Sequence, residues 1–97
     1  MKVNTGIAKG KRLKTVPGAT TRPIMDRTKQ ALFNILMDDV RDSRWLDLFG
    51  GTGAVGIEAL SRGATSCTFL DIAPAAIKVI EQNLRAMTIE FVVAEQV

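Results

Sequence analysis

One run constrains the fold of this chain more than any other: Trp45-Leu46-Asp47-Leu48-Phe49-Gly50-Gly51-Thr52-Gly53. A short apolar strand meets a glycine-rich turn, with an acidic residue just before it, and a helix pattern follows from Ala54 to Arg62. Glycines suit such a turn because a ligand approaches the backbone more closely than a Cβ would allow. The spacing Gly51, Gly53, Gly56 also reads as G-x-G-x-x-G, the pattern of dinucleotide-binding turns. Asp47 opposes a dinucleotide, because a carboxylate there would repel a pyrophosphate held at the helix N-terminus.

A carboxylate at this place suits a ligand bearing positive charge. S-adenosylmethionine has an α-amino group, a sulfonium and no phosphate, and it fits. A second acid supports a nucleoside. Ser66-Cys67-Thr68-Phe69-Leu70 reads as the next strand and ends in Asp71, 20 residues beyond Gly51. A Rossmann-type acid that accepts hydrogen bonds from ribose hydroxyls stands at about this separation. Pro74 then opens another helix, where its missing N–H is harmless. Cys67 lies inside an apolar strand and reads as a core residue.

The other elements follow from turn residues and periodicity. Val3 to Ala8 and Arg12 to Thr15 are expected to pair as a hairpin about Lys9-Gly10, with Gly10 at the left-handed position. Val16 to Thr21 reads as a loop. Pro23 biases Arg22 towards an extended conformation, so a helix should begin after it. Asp26 is expected to cap that helix, with Ala31, Leu32, Ile35 and Leu36 on its buried face. Met37 and Met87 are expected to close helices as packing residues. Gly63 should stop the helix behind the glycine turn. Ile77, Ile80 and Leu84 give a further helix its apolar stripe. The expected division is a basic hairpin and loop over residues 1–22, followed by residues 23–97 as part of a Rossmann-like domain. Right-handed crossovers predict a parallel sheet in the order 3-2-1.

Charge divides the chain in the same place. Residues 1–29 carry Lys2, Lys9, Lys11, Arg12, Lys14, Arg22, Arg27 and Lys29 against Asp26 alone, within a net charge of +3 for all 97 residues. This asymmetry suggests a polyanion-facing N-terminal segment on a more acidic remainder. No apolar run approaches the roughly eighteen residues that cross a membrane, and Met1-Lys2-Val3-Asn4-Thr5 lacks the apolar core of a signal peptide. A single cysteine excludes an internal disulfide, and neither it nor the absent histidine supplies a metal site. A cytoplasmic location is expected.

These motifs resemble those of the RsmD-type family of bacterial methyltransferases that modify guanine N2 in 16S ribosomal RNA. Val3 to Thr15 is similar to the family's N-terminal hairpin. Thr21-Arg22-Pro23, Asp26-Arg27 and Ala31 to Leu36 are similar to its signature helix, and Asp47 to Gly53 with Gly56 and Glu58 to Ala64 to its cofactor motif. Ile24, Met25 and Gln30 depart from the family's pattern. The resemblance implies a Rossmann-like α/β methyltransferase fold and S-adenosylmethionine as cofactor. It implies cofactor contacts from Asp47, Phe49, Gly51, Gly53, Asp71, Arg22 and, beside the adenine, Gln96. It further implies contacts from Lys9, Lys11, Arg12 and Lys14 to ribosomal RNA or a small-subunit assembly particle.

Family members continue well beyond this length and carry an Asp/Asn-Pro-Pro-Tyr/Phe motif that holds the target amine. Here Pro17, Pro23 and Pro74 stand apart and there is no tyrosine. The chain therefore reads as a fold truncated after about three parallel strands, with no catalytic residue of its own and inactive alone. A second chain supplying the remaining half is one expectation. A non-catalytic RNA-binding or assembly module and a nicotinamide-dependent oxidoreductase fragment are the alternatives.

Overall fold

The computed structural model describes residues 2–16, 24–48 and 51–86, and the backbone of 93–96. Six elements alternate as the periodicities predict: α1 (Asp26–Leu36), β1 (Arg44–Leu48), α2 (Ala54–Ser61), β2 (Ser66–Asp71), α3 (Pro74–Ala86) and β3 (Val93–Gln96). The strands form one parallel sheet in the order β1-β2-β3, with Trp45 beside Cys67, Asp47 beside Phe69 and Asp71 beside Gln96. Residues 17–23, 87–92 and 97, which include Met87 and most of the expected loop from Val16 to Thr21, lie outside the described residues.

Register assigns the faces. Trp45, Asp47, Cys67 and Phe69 point to the side where α2 and α3 pack, and Cys67, Phe69, Ile57, Leu60, Ile80 and Leu84 form its core. Leu46 and Leu48 point the other way and are each 57% exposed. Among the described residues β1 has one strand neighbour, so it leaves an open edge as well as an open face. Parallel sheets are ordinarily covered on both faces.

Gly56 and Gly63 fix α2 at its two ends. A Cβ on Gly56 would stand 2.3 Å from the Phe69 ring and 2.7 Å from Cys67 Sγ, so the helix can lie this close to β2 only with glycine there. At the other end Gly63 adopts φ 108°, its N–H donates to Leu60 O, and that of Ala64 donates to Ala59 O. These two bonds make the Schellman termination expected of Gly63. Arg62 falls just outside the helix as its C-cap.

Four expectations about the N-terminal third need correction. The hairpin reduces to one antiparallel bridge, Lys2 to Arg12. Between them the chain makes tight turns, because its amides find partners on α2 instead: Ile7 N–H donates to Ser61 O, and Ala8 N–H to Ser61 Oγ. Gly10 does take the left-handed conformation, φ 87°. Asp26 does not cap α1. The N-cap is Met25, without a side-chain bond, and the Asp26 carboxylate accepts weakly from Lys2 N–H at 3.4 Å.

The buried face of α1 is also rotated from the expected one. Lys29 and Phe33 are buried, while Ala31 is exposed and Ile35 is 80% exposed. Phe33 stacks on Trp45 at 5.4 Å between centroids, and the Arg62 guanidinium lies 4.8 Å over its ring. Lys29 finds buried acceptors that hydrophobic periodicity does not register. Met37 packs on nothing of consequence. It is 72% exposed and ends α1 with φ 46°.

Val3, Ala8 and Leu13 of the N-terminal segment join the same core as α2, β2 and α3. No helix among the described residues is long and apolar enough to cross a membrane.

Candidate cofactor site

Three strand ends and one helix start converge at the site. β1 delivers Asp47, the turn Gly51-Thr52-Gly53 leads into α2, and β2 ends in Asp71 with Gln96 beside it on β3. Gly51 (φ 58°) and Gly53 (φ 82°) both lie in the left-handed region, and Gly53 is the N-cap of α2. The two glycines thus serve the turn's own dihedrals as well as any close approach by a ligand.

Asp47 reaches across the turn, and its Oδ2 accepts the Gly56 N–H at 3.2 Å. Gly56 is the third residue of α2, so this N–H is one of the helix's orphan donors. The carboxylate therefore occupies part of the positive helix end that a pyrophosphate would need. Burial pushes the Asp47 carboxyl above its usual range, the Gly56 hydrogen bond partly offsets this, and the nearby Asp71 charge adds to the rise. A cation close to Asp47 would reverse that imbalance. Cys67 lies on the same face, and burial, with the Asp47 charge, pushes its thiol up to about 12. It is an inert core residue, as expected.

Asp71 is a buried anchor. Oδ2 accepts the Gly51 N–H at 3.0 Å and Oδ1 the Ala73 N–H at 2.9 Å. Each oxygen retains a second lone pair, so ribose hydroxyls and the turn can share this group. The distances make the first duty of Asp71 the shape of the glycine turn, a role that residue spacing did not suggest.

The remaining expected residues are placed less completely. Phe49 and Arg22 lie outside the described residues. Gln96 is fixed by backbone register alone. Lys9, Lys11, Arg12 and Lys14 are exposed on the N-terminal segment, and Lys2, Gly10, Arg12 and Asp26 border a shallow cleft there. Among the described residues no three acids or cysteines gather to hold a metal ion.

Two buried polar groups escaped the sequence reading. Glu58 accepts from Asn4 N–H, Thr5 N–H, Arg62 Nε and Lys29 Nζ, and so fastens the N-terminal segment and α1 to α2. Asn83 on α3 binds both the Lys14 peptide and the glycine turn through Thr52 O. Each could have been suspected from a polar residue inside an apolar helical stripe, since such a group needs a partner when buried.

The family model described as conserved hypothetical protein 95 matches residues 1–97. The chain belongs to this family. A family relative in Bacillus subtilis (strain 168), the proposed rRNA methyltransferase YlbH, is 44% identical over 87 residues, which cover 90% of this chain and 47% of YlbH. Ribosomal RNA small subunit methyltransferase D of Haemophilus influenzae is 36% identical over 87 residues, 90% of this chain and 45% of that protein. The solved structure of yhhF from Escherichia coli, a proposed methyltransferase, superposes with a TM-score of 0.90 at 31% identity, covering all of this chain and 52% of the other. The chain thus spans about half the length of the curated relatives it matches. The resemblance expected from the motifs holds, and so does the Rossmann-like α/β methyltransferase fold.

Proposed function

We propose that this chain is the S-adenosylmethionine-holding part of an rRNA methyltransferase that acts on guanine N2 in 16S ribosomal RNA. The Asp47 contact to Gly56 N–H carries the reading. An acid that fills the positive end of α2 disfavours a dinucleotide and leaves its other oxygen to receive the cofactor's ammonium group. S-adenosylmethionine, when bound, would supply an electrophilic methyl group.

The chain's own residues then divide the work. Asp47 orients the cationic methionine end, and Gly51 and Gly53 admit the cofactor to the backbone. Asp71 holds the turn and the ribose, and Gln96, at the neighbouring strand end, is assigned to the adenine. Phe49 and Arg22 complete the cofactor contacts. Lys9, Lys11, Arg12 and Lys14 take phosphates of ribosomal RNA or of a small-subunit particle in the cytoplasm. Positioning of the two reactants supplies most of the rate in such a transfer. The target amine would be held by residues beyond these 97, either in the same polypeptide or in a second chain that covers Leu46 and Leu48.

Calorimetric titration of the chain with S-adenosylmethionine and with NAD tests the cofactor reading. Binding of the first and not the second is expected, and the reverse would favour an oxidoreductase. The exposed basic residues favour a second reading, a non-catalytic RNA-binding module. RNA binding with no affinity for S-adenosylmethionine would select it.

A further inference from the structure

Asn83 is 1% exposed, and all its amide groups are used. Its Oδ1 accepts the Lys14 N–H at 2.8 Å, while Nδ2 donates to Lys14 O at 3.1 Å and to Thr52 O at 2.8 Å. Towards Lys14 the side chain acts as a one-residue strand partner, because it pairs with both the N–H and the C=O of a single residue. Towards Thr52 it holds the carbonyl of the residue that lies between the left-handed Gly51 and Gly53.

Two of the bonds that hold that turn come from side chains outside it, and each serves as an anchor. Asp71 fixes it through Gly51 N–H, and Asn83 fixes it through Thr52 O. A glycine-threonine-glycine turn has wide conformational freedom in the unfolded chain, so losing either of these bonds would loosen it. The second anchor also holds the basic segment. A shift of the Lys14 peptide must either carry the Asn83 side chain with it or leave a buried amide unsatisfied, which is unfavourable.

We propose that Asn83 is a positioning residue that couples the basic N-terminal segment to the glycine turn, so that polyanion binding at Lys9 to Lys14 tightens the turn for its cofactor. The coupling rests on the cofactor and RNA readings given above. It is an equilibrium linkage, so the cofactor must strengthen RNA binding by the same factor.

The test uses the 97-residue chain, S-adenosylmethionine, a short single-stranded RNA, two variants and a control. Asn83→Ala removes the clamp. Lys14→Pro removes the N–H that reaches Asn83 without touching the turn, and Lys14→Ala, which loses the same basic side chain but keeps that N–H and should keep the coupling, is its control. Saturating RNA should raise the affinity of the wild-type chain for S-adenosylmethionine about fivefold or more, the lower end of ordinary coupling. Asn83→Ala and Lys14→Pro should each bring that factor close to one. A clamp serving stability alone would lower both affinities and leave the factor intact, and that result overturns the proposal. So does a wild-type chain that binds both ligands independently.

Should the chain bind neither ligand, the functional reading fails and amide hydrogen exchange decides the coupling by itself. Lys14→Pro should then speed exchange at residues 51–56 roughly tenfold, as expected for loss of about one net hydrogen bond. Unchanged exchange at those amides would show that the segment and the turn are mechanically independent.

Discussion

Replacing Glu58 by glutamine should be among the most damaging single-atom changes available in this protein. Oε1 accepts Asn4 N–H at 2.8 Å and Lys29 Nζ at 3.2 Å, and Oε2 accepts Thr5 N–H at 3.0 Å and Arg62 Nε at 2.9 Å. A glutamine presents an NH2 group at one of these positions, so one main-chain N–H and one cation lose their acceptor. The amide should turn its NH2 towards Arg62, whose side chain is 13% exposed and can reach water, whereas Lys29 is fully buried. Even so, Lys29 would face a neutral oxygen and Thr5 N–H would face a donor.

Breaking a buried pair in this way costs about 3–5 kcal/mol. A chain of this length has a total stability of roughly 5–15 kcal/mol. Because the lost main-chain bond is the one from Thr5, the N-terminal segment should detach first. Urea denaturation of Glu58→Gln, Lys29→Met and the double variant measures the effect. Lys29→Met should cost less, since Glu58 keeps Arg62 and both amides. The double variant should cost less than the sum of the two, by about 0.5–3 kcal/mol. A loss under about 1 kcal/mol for Glu58→Gln, or strict additivity, would refute the assignment of Glu58 as the hub of this network.

Four further outcomes are expected. Gly56→Ala should lower the melting temperature, because overpacking against the Phe69 ring costs about 1–3 kcal/mol and outweighs the helix-propensity gain of about 1 kcal/mol; Gly10→Ala meets no neighbour, so its cost should come from the left-handed backbone alone. Asp47→Asn should raise stability near neutral pH while weakening S-adenosylmethionine binding. Its carboxyl is raised from 3.8 in the folded state, so stability present below that value is lost as pH rises through the raised one, and the variant's advantage should vanish in acid. Cys67, with its thiol pushed up to about 12, should resist alkylation at about pH 8 until the protein unfolds, and rapid labelling of the native chain would contradict its burial. Neutralising Lys9, Lys11 and Arg12 together should flatten the dependence of log RNA affinity on log salt by roughly 0.7 per lost contact, and an unchanged slope would leave these residues as solubilising charge.

Much of the fold was written in local pattern. The strand, turn and helix from Trp45 to Arg62, the second strand ending at Asp71, the helix opened by Pro74 and the stop at Gly63 all rest on interactions a few residues long, which the sequence states directly. Parallel order followed from chain handedness. The acids Asp47 and Asp71 were recognisable as partners of the glycine turn because strand ends place them beside it whatever the rest of the chain does.

The N-terminal third was decided elsewhere. Lys2 to Thr15 alternates well enough to suggest a hairpin, yet its amides go to Glu58, Ser61 and Asn83, 53 to 69 residues away. α1 turned Lys29 inward for the same reason, against its apolar pattern, because a buried carboxylate waited on α2. Periodicity measures how a segment divides between oil and water, and it carries no term for a buried polar group paired across the fold. Such pairs exist only once tertiary packing has removed water from both partners, and only then do Glu58 and Asn83 hold the N-terminal segment against α2 and the glycine turn.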